Sequence, residues 1–360
     1  MDNSPIVDTL LSLGSKDDSM EAMVSTPQLL RPKNLYRPGP VLDARQQEIV
    51  DQPAGHGPML VLGGPGTGKT TTAVEYAVAK ITAGVATNEI LLLTNTRTGA
   101  AQLRDYLTAR LNYESVESRA DVPVRSFASY AFDIISRIRE EEGVTPRLLA
   151  GAEQDRLIAE LIDGYLTDPQ LTIEWPANLQ QAVGLRGLRH ELRELIDRSA
   201  EYGIEPGELE ALGREKDHPE WVAAATILQD YRDVLDLSGA AAYDPSGLIT
   251  AAADLWEENP GFAAAETQRI RYIIIDDFQD ATPAIHRLIQ LIGTDRDIVI
   301  TVNPDTTVQG FRGARPQALV HWPEILAPDA TTVTLETGYR MGANLHTAYQ
   351  RTVSRIPAIS

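Results

Sequence analysis

The sequence predicts an α/β fold in which a parallel sheet carries helices on both faces and a helical domain is inserted into it. Two observations carry this prediction. Short apolar runs at Met59–Leu62, Ile90–Thr94, Tyr272–Ile275 and Ile298–Val302 alternate with helical patterns, which is the signature of parallel strands joined by crossover helices. The stretch 140–243 lacks such runs and shows a helical period instead, with Leu157, Leu161 and Ile162 in one segment and Leu188, Leu192, Leu195 and Ile196 in another.

Composition narrows the class. With 360 residues, 43% hydrophobic and 23% charged, the chain is long enough for two or more soluble domains. It has no cysteine, so disulfides and thiolate metal sites are excluded, and a cytoplasmic location is expected. The acidic start (Asp2, Asp17, Asp18, Glu21) is unlike a secretory or transit peptide, and no apolar run approaches the roughly 20 residues of a spanning helix, so no membrane role is expected. A formal net charge of -19 argues against coating nucleic acid by bulk attraction, which confines any DNA contact to a local groove.

Residues 1–40 are polar and acidic, punctuated by Pro27, Pro32, Pro38 and Pro40, and are expected to be a disordered extension. The α/β domain is then expected in two parts, 41–139 and 244–360, around a helical insertion at 140–243. Row-forming arginines at 186, 189 and 193 read best as a solvated helix face, since Arg193 and Asp197 stand four residues apart.

Gly63-Gly64-Pro65-Gly66-Thr67-Gly68-Lys69-Thr70 fits G-x-x-x-x-G-K-[ST] between the run Met59–Leu62 and a helical pattern through Ala73, Ala77 and Ala79. The glycines let successive backbone N–H groups turn toward phosphate oxygens at a helix N-terminus. Lys69 is expected to reach the β and γ phosphates and the Thr70 hydroxyl to ligate Mg²⁺, so ATP with Mg²⁺ is the expected cofactor. A plain glycine-rich turn is the alternative.

Ile273-Ile274-Ile275-Asp276-Asp277 sets paired carboxylates at the end of a buried β-branched run, where the ligand crevice of a parallel sheet lies. Asp276 is expected to hold Mg²⁺ and Asp277 to orient or deprotonate the attacking water. The competing reading is a solvated acidic turn, with Asp280 capping the next helix.

These motifs, in this order and separated by a helical insertion, resemble the UvrD/Rep branch of superfamily-one helicases from Leu42 to about Gln350. The resemblance implies a RecA-like P-loop NTPase domain. It implies adenine recognition by Gln46, in Leu42-Asp43-Ala44-Arg45-Gln46, and contact with single-stranded DNA at Thr94, Asn95 and Thr96 and at Ser126 and Phe127. It further implies base stacking by Phe311, in the loop from Asn303 to Ala314, and places Tyr339 near the nucleotide with Arg340 approaching the γ phosphate. On the residues alone, Phe127 and Phe311 read as core aromatics, the commoner fate of phenylalanine, with stacking as the alternative. The wording of the segments is most similar to actinobacterial helicase-nuclease subunits of the AdnA and AdnB type, which implies a second subunit as partner. Family polarity would be 3′ to 5′, in DNA repair or recombination.

Four positions depart from the family pattern. Asp277 stands where a glutamate is usual, Ala128 for a histidine, Thr306 for a glutamine and Gly338 for an asparagine. A base one methylene shorter is expected to slow hydrolysis, which keeps a weakly hydrolysing accessory subunit as the alternative. The resemblance also places the family's second motor domain beyond Ser360, so the isolated chain is expected to bind nucleotide yet scarcely unwind DNA.

Overall fold

The computed structural model describes residues 37–114, 123–237, 241–310, 314 and 330–355, and the structural statements below refer to these. The expected extension at 1–40 lies almost wholly outside them.

The chain enters the described region through helix α1 (Ala44–Val50), whose start is a reciprocal cap: the Asp43 carboxylate accepts the Gln46 N–H and the Gln46 side chain accepts the Asp43 N–H. Strand β1 (Pro58–Gly63) runs into the glycine loop and helix α2 (Lys69–Thr82). Strand β2 (Ile90–Thr94) leads to α3 (Arg97–Tyr113), and the three-residue β3 (Val124–Ser126) leads to α4 (Phe127–Glu141). After the two-residue β4 (Arg147–Leu148) come α5 (Gly151–Thr167), α6 (Arg186–Tyr202), α7 (Pro206–Glu215) and α8 (Pro219–Leu237). The short β5 (Ala242–Tyr243) pairs with β4, and α9 (Leu248–Glu258) and α10 (Pro260–Arg269) return the chain to the sheet. There β6 (Tyr272–Asp276), α11 (Pro283–Gly293), β7 (Asp297–Val302), β8 (Thr331–Leu335) and α12 (Ala343–Val353) complete the order.

Six strands form one sheet in the order β3-β2-β6-β7-β1-β8, every neighbouring pair parallel. Alternate side chains supply two cores, as the strand period of two requires. Met59, Val61, Leu92 and Ile274 face α2 and α3, while Leu60, Leu91, Leu93 and Ile273 face α4, α9 and α11. Both faces are therefore covered, which explains why the central strands read as unbroken apolar runs.

The helices of the insertion have their own core, in which Ile158, Ile162, Leu192, Ile196 and Tyr231 meet. Two polar bonds fasten α6 to the approach to α9: Ser246 donates to Asp197 at 2.6 Å, and Thr250 donates to the Ala200 carbonyl at 2.7 Å. Arg193 donates to the buried Gln154 at 3.0 Å and lies 4.0 Å from Asp197, so it is paired as expected but half-buried rather than on a solvated face. No helix among the described residues is long and apolar enough to cross a membrane.

Candidate functional site

The register of the sheet gathers the two expected motifs at one edge. Leu62 lies beside Val302 and Thr94 beside Asp276, so the glycine loop, the acidic strand end and the exit of β7 emerge together. That carboxyl edge, where the chain order reverses about β1, is where ligands of such sheets sit.

The glycine loop is shaped by steric necessity at two positions. Gly68 has φ +88, and a Cβ there would stand 2.3 Å from Gln46 Nε2; a Cβ on Gly63 would stand 2.4 Å from Thr67 Oγ1. Thr67 donates to the Gly64 carbonyl at 2.9 Å, closing the loop on itself. The Lys69 ammonium donates to the carbonyls of Gly63 at 2.8 Å and Gly64 at 3.1 Å, which folds its stem along the loop. Burial pushes Lys69 below the usual lysine range, against the pull of the Asp277 and Asp276 carboxylates.

Across the crevice, Thr70 Oγ1 donates to Asp276 Oδ2 at 2.8 Å and Thr301 Oγ1 donates to Asp276 Oδ1 at 2.6 Å. Asp276 is 5% exposed, and burial together with the adjacent Asp277 charge raises its pKa above the ordinary carboxylate value. Asp277 takes the left-handed conformation, φ 58 and ψ 50, which turns its side chain into the cleft while its N–H donates to Thr301 at 3.3 Å. The cleft, of about 310 Å³, is lined by Pro65, Lys69, Thr70, Asp277 and Arg340 among others. The cradle's tight glycines, an ammonium at its base and a hydroxyl–carboxylate pair facing it fit a nucleotide triphosphate with a divalent cation. Among the described residues no group of three His, Cys, Asp or Glu gathers as a metal site.

After β8, Arg340 lines the same cleft, while Tyr339 is held against the glycine loop and α1 outside it. The Tyr339 N–H donates to the Gly66 carbonyl at 3.0 Å and its hydroxyl to Asp43 Oδ2 at 2.7 Å. Arg340 Cβ is 3.0 Å from where a Gly66 Cβ would be, and its charge is close enough to depress the Lys69 pKa. Gln46 is 2% exposed, and both ends of its amide are engaged: Oε1 in the helix cap and Nε2 as donor to the Thr67 carbonyl at 3.0 Å. It therefore buttresses the glycine loop as well as standing where the resemblance puts adenine recognition.

The expected DNA-side residues divide. Thr94 is buried at the end of β2, Thr96 caps α3 by accepting the Gly99 N–H at 2.9 Å, and Asn95 Nδ2 donates to the Asp277 carbonyl at 2.6 Å. The last contact joins the loop after β2 directly to the acidic strand end. Ser126 caps α4 and opens on a groove of about 600 Å³ bounded by Arg97, Arg104 and Arg125. Phe127, by contrast, is a core residue: it is 1% exposed, with its ring centroid 6.2 Å from that of Phe278, because the first turn of α4 presents it to the sheet. Its ring is enclosed, so of the two readings the core one describes it. Phe311 lies outside the described residues.

Several residues of the site were not singled out in the sequence. Thr301 orients Asp276, and the one signal for it was a hydroxyl within the run Ile298–Val302. Gln279 accepts the Asn303 N–H at 3.1 Å, linking the exits of β6 and β7. Asp280 is not the cap of the next helix, because α11 begins after Thr282. Instead Asp280 Oδ1 accepts the N–H groups of Val308 at 2.8 Å and Gln309 at 3.1 Å, holding the loop after β7 against β6.

Comparison with known proteins agrees with this geometry. Residues 42–324 match the model of the UvrD/REP helicase N-terminal domain. Similar curated proteins include DNA helicase II of Haemophilus influenzae, 25% identical over 313 residues, covering 84% of this chain and 39% of that protein. ATP-dependent DNA helicase UvrD2 of Mycobacterium tuberculosis is 26% identical over 318 residues, covering 83% and 41% respectively. ATP-dependent DNA helicase PcrA of Staphylococcus epidermidis is 25% identical over 300 residues, covering 80% and 37%. The chain spans about two-fifths of the length of these relatives.

Proposed function

Since the chain belongs to the UvrD/REP helicase N-terminal domain family, we propose that it is the first motor domain of an ATP-dependent DNA helicase. ATP with Mg²⁺ is its cofactor, supplying the phosphoryl group whose transfer to water drives movement. The glycine loop and Lys69 bind and orient the phosphates, and Thr70 with Asp276 holds the cation. Asp277 positions the water, Arg340 offsets charge on the reacting phosphate, and Tyr339 borders the nucleotide. Single-stranded DNA lies along Thr94 to Thr96 and the groove beside Ser126, with Phe311 as the stacking aromatic. Travel runs 3′ to 5′ in DNA repair or recombination, in the cytoplasm.

The observation that carries this reading is a pair of contacts on neighbouring residues: Thr70 to the Asp276 carboxylate at 2.8 Å and Asn95 to the Asp277 backbone carbonyl at 2.6 Å. The first unites the phosphate loop with the acidic strand end. The second reaches from there to the loop given to DNA, which is the connection a DNA-stimulated hydrolase needs. Measuring ATP-dependent unwinding by the full protein, second motor domain included, with tailed duplexes of each polarity tests the motor and its direction. Unwinding of 3′-tailed substrate supports both, and strand separation only from 5′ tails overturns the direction.

A second reading is favoured by Asp277 itself, whose side chain is one methylene shorter than the usual glutamate. In it the protein is an accessory subunit of a helicase-nuclease of the AdnA and AdnB type, binding ATP and a partner motor while hydrolysing weakly. Co-purification with a nuclease-bearing subunit, together with nucleotide binding and negligible turnover, would favour this second reading.

A further inference from the structure

Beside the groove, at the corner where α4 meets α10, positive charge is gathered beyond local compensation. Glu266 is fully buried and accepts four bonds, from Tyr130 Oη at 3.1 Å, Arg137 Nη1 at 2.7 Å, Arg269 Nε at 2.9 Å and Arg269 Nη2. Its lone pairs are saturated, so it has no capacity for a further cation. Arg296, 5% exposed, lies behind the corner: it donates to Thr267 at 2.7 Å and stands 5.8 Å from the centre of the Trp256 ring. Arg125 is paired with Asp133 at 3.3 Å. At the corner itself three guanidiniums, those of Arg125, Arg137 and Arg269, thus face the two carboxylates of Asp133 and Glu266, in a chain whose net charge is -19.

The cluster is reachable. Arg125, Arg137 and Arg269 line a concavity of about 370 Å³, and about a third of each side chain is exposed. Arg125 also bounds the 600 Å³ groove that holds Arg97 and Arg104. One arginine therefore belongs to both, so the groove and the corner meet at Arg125. A guanidinium carries five N–H donors, so one paired with a carboxylate still has donors for the oxygens of a phosphodiester.

We propose that this corner is a second phosphodiester-binding site, taking the sugar-phosphate backbone of a single strand that has crossed Arg125 out of the groove. The proposal rests on the reading of that groove as the DNA track. A strand so held is contacted at two places on the domain, so long strands bind more tightly than strands that fill the groove alone.

The test is equilibrium binding of single-stranded oligonucleotides of about 6 and about 20 nucleotides to the full protein, across a salt series, for wild type, Arg137→Gln and Glu266→Gln, with thermal melts of each. Arg137→Gln is expected to weaken the long strand and make its salt dependence shallower by about 0.7 in log–log slope, the value of one single-strand phosphate. The short strand should be unaffected. Glu266→Gln removes the compensating charge and is expected to tighten the long strand. Both variants weakening the long strand together would mark lost folding and overturn the proposal. So would wild-type binding of the long strand by both, with the short strand still bound, a result that leaves the groove intact. Arg137-dependent binding of polyglutamate with no effect on DNA would make the corner a protein-docking site instead. Failure of both strands to bind wild type would overturn the groove reading and this one with it.

Discussion

Thr70 and Asp276, 206 residues apart in sequence, are joined by a 2.8 Å hydrogen bond across the crevice between β1 and β6. The bond runs from the hydroxyl after the glycine-loop lysine to the carboxylate that ends an isoleucine run. Thr301 completes the arrangement from β7, donating to the other carboxylate oxygen at 2.6 Å. A buried carboxylate with two hydroxyl partners is fixed in orientation before any cation arrives.

Removing one partner should therefore be felt. Thr301→Val keeps the side chain's volume and leaves Asp276 with one donor, at a cost of about 1–3 kcal/mol for the partly unsatisfied carboxylate. Chemical denaturation is expected to show that loss, and titration with a fluorescent nucleotide in Mg²⁺ should show weaker binding by roughly tenfold.

The raised pKa of Asp276 makes opposite demands on stability and binding. Because burial and the Asp277 charge raise it in the folded chain, the native state holds that proton at pH values where the unfolded chain has released it. The group thus favours folding as pH falls through its folded pKa toward the ordinary value, and opposes folding above it. Asp276→Asn is expected to be more stable than wild type at neutral pH, with the difference shrinking in acid. Cation-dependent nucleotide affinity of wild type should fall over the same acid range. Denaturation and binding measured from neutral to acid pH check both slopes.

Gly68→Ala places a methyl where Gln46 Nε2 now sits and asks alanine to hold φ +88. It is expected to cost about 1–3 kcal/mol and to abolish nucleotide binding, since Gln46 must leave the Thr67 carbonyl. Gly84, whose φ is +96 with nothing within 4 Å of a Cβ, is the control: Gly84→Ala should show the backbone cost and retain binding.

Phe127→Ala tests the division of the DNA-side residues. A ring buried between β-sheet and α4 should cost about 3–5 kcal/mol on removal. Thermal denaturation is expected to show it, while DNA affinity measured well below the transition stays within about twofold. A selective loss of DNA affinity at full stability would return Phe127 to the DNA track.

Much of this was readable from the chain because the signals were local. The runs at Met59–Leu62, Ile90–Thr94, Tyr272–Ile275 and Ile298–Val302 became β1, β2, β6 and β7, each buried on both faces. β8 escaped notice because Thr331-Thr332-Val333-Thr334-Leu335 is an edge strand paired on one side, with only Leu335 buried and no apolar run to betray it. β3 is three residues long with an arginine at its centre. Motif spacing located Lys69, Thr70, Asp276 and Asp277, but not the roles of Thr301, Gln279 or Asp280, which come from strand neighbours far apart in sequence. Phe127 shows the limit of type alone: one phenylalanine can be a stacking platform or a core ring, and the turn of α4 decides.

The most direct test of the account is phosphate release from ATP by the full protein, with and without single-stranded DNA, for wild type and Lys69→Ala. DNA is expected to stimulate wild-type turnover, and Lys69→Ala to lower it by about a hundredfold or more. Wild-type protein that binds ATP yet releases no phosphate on DNA would contradict the motor reading and leave an accessory subunit in its place.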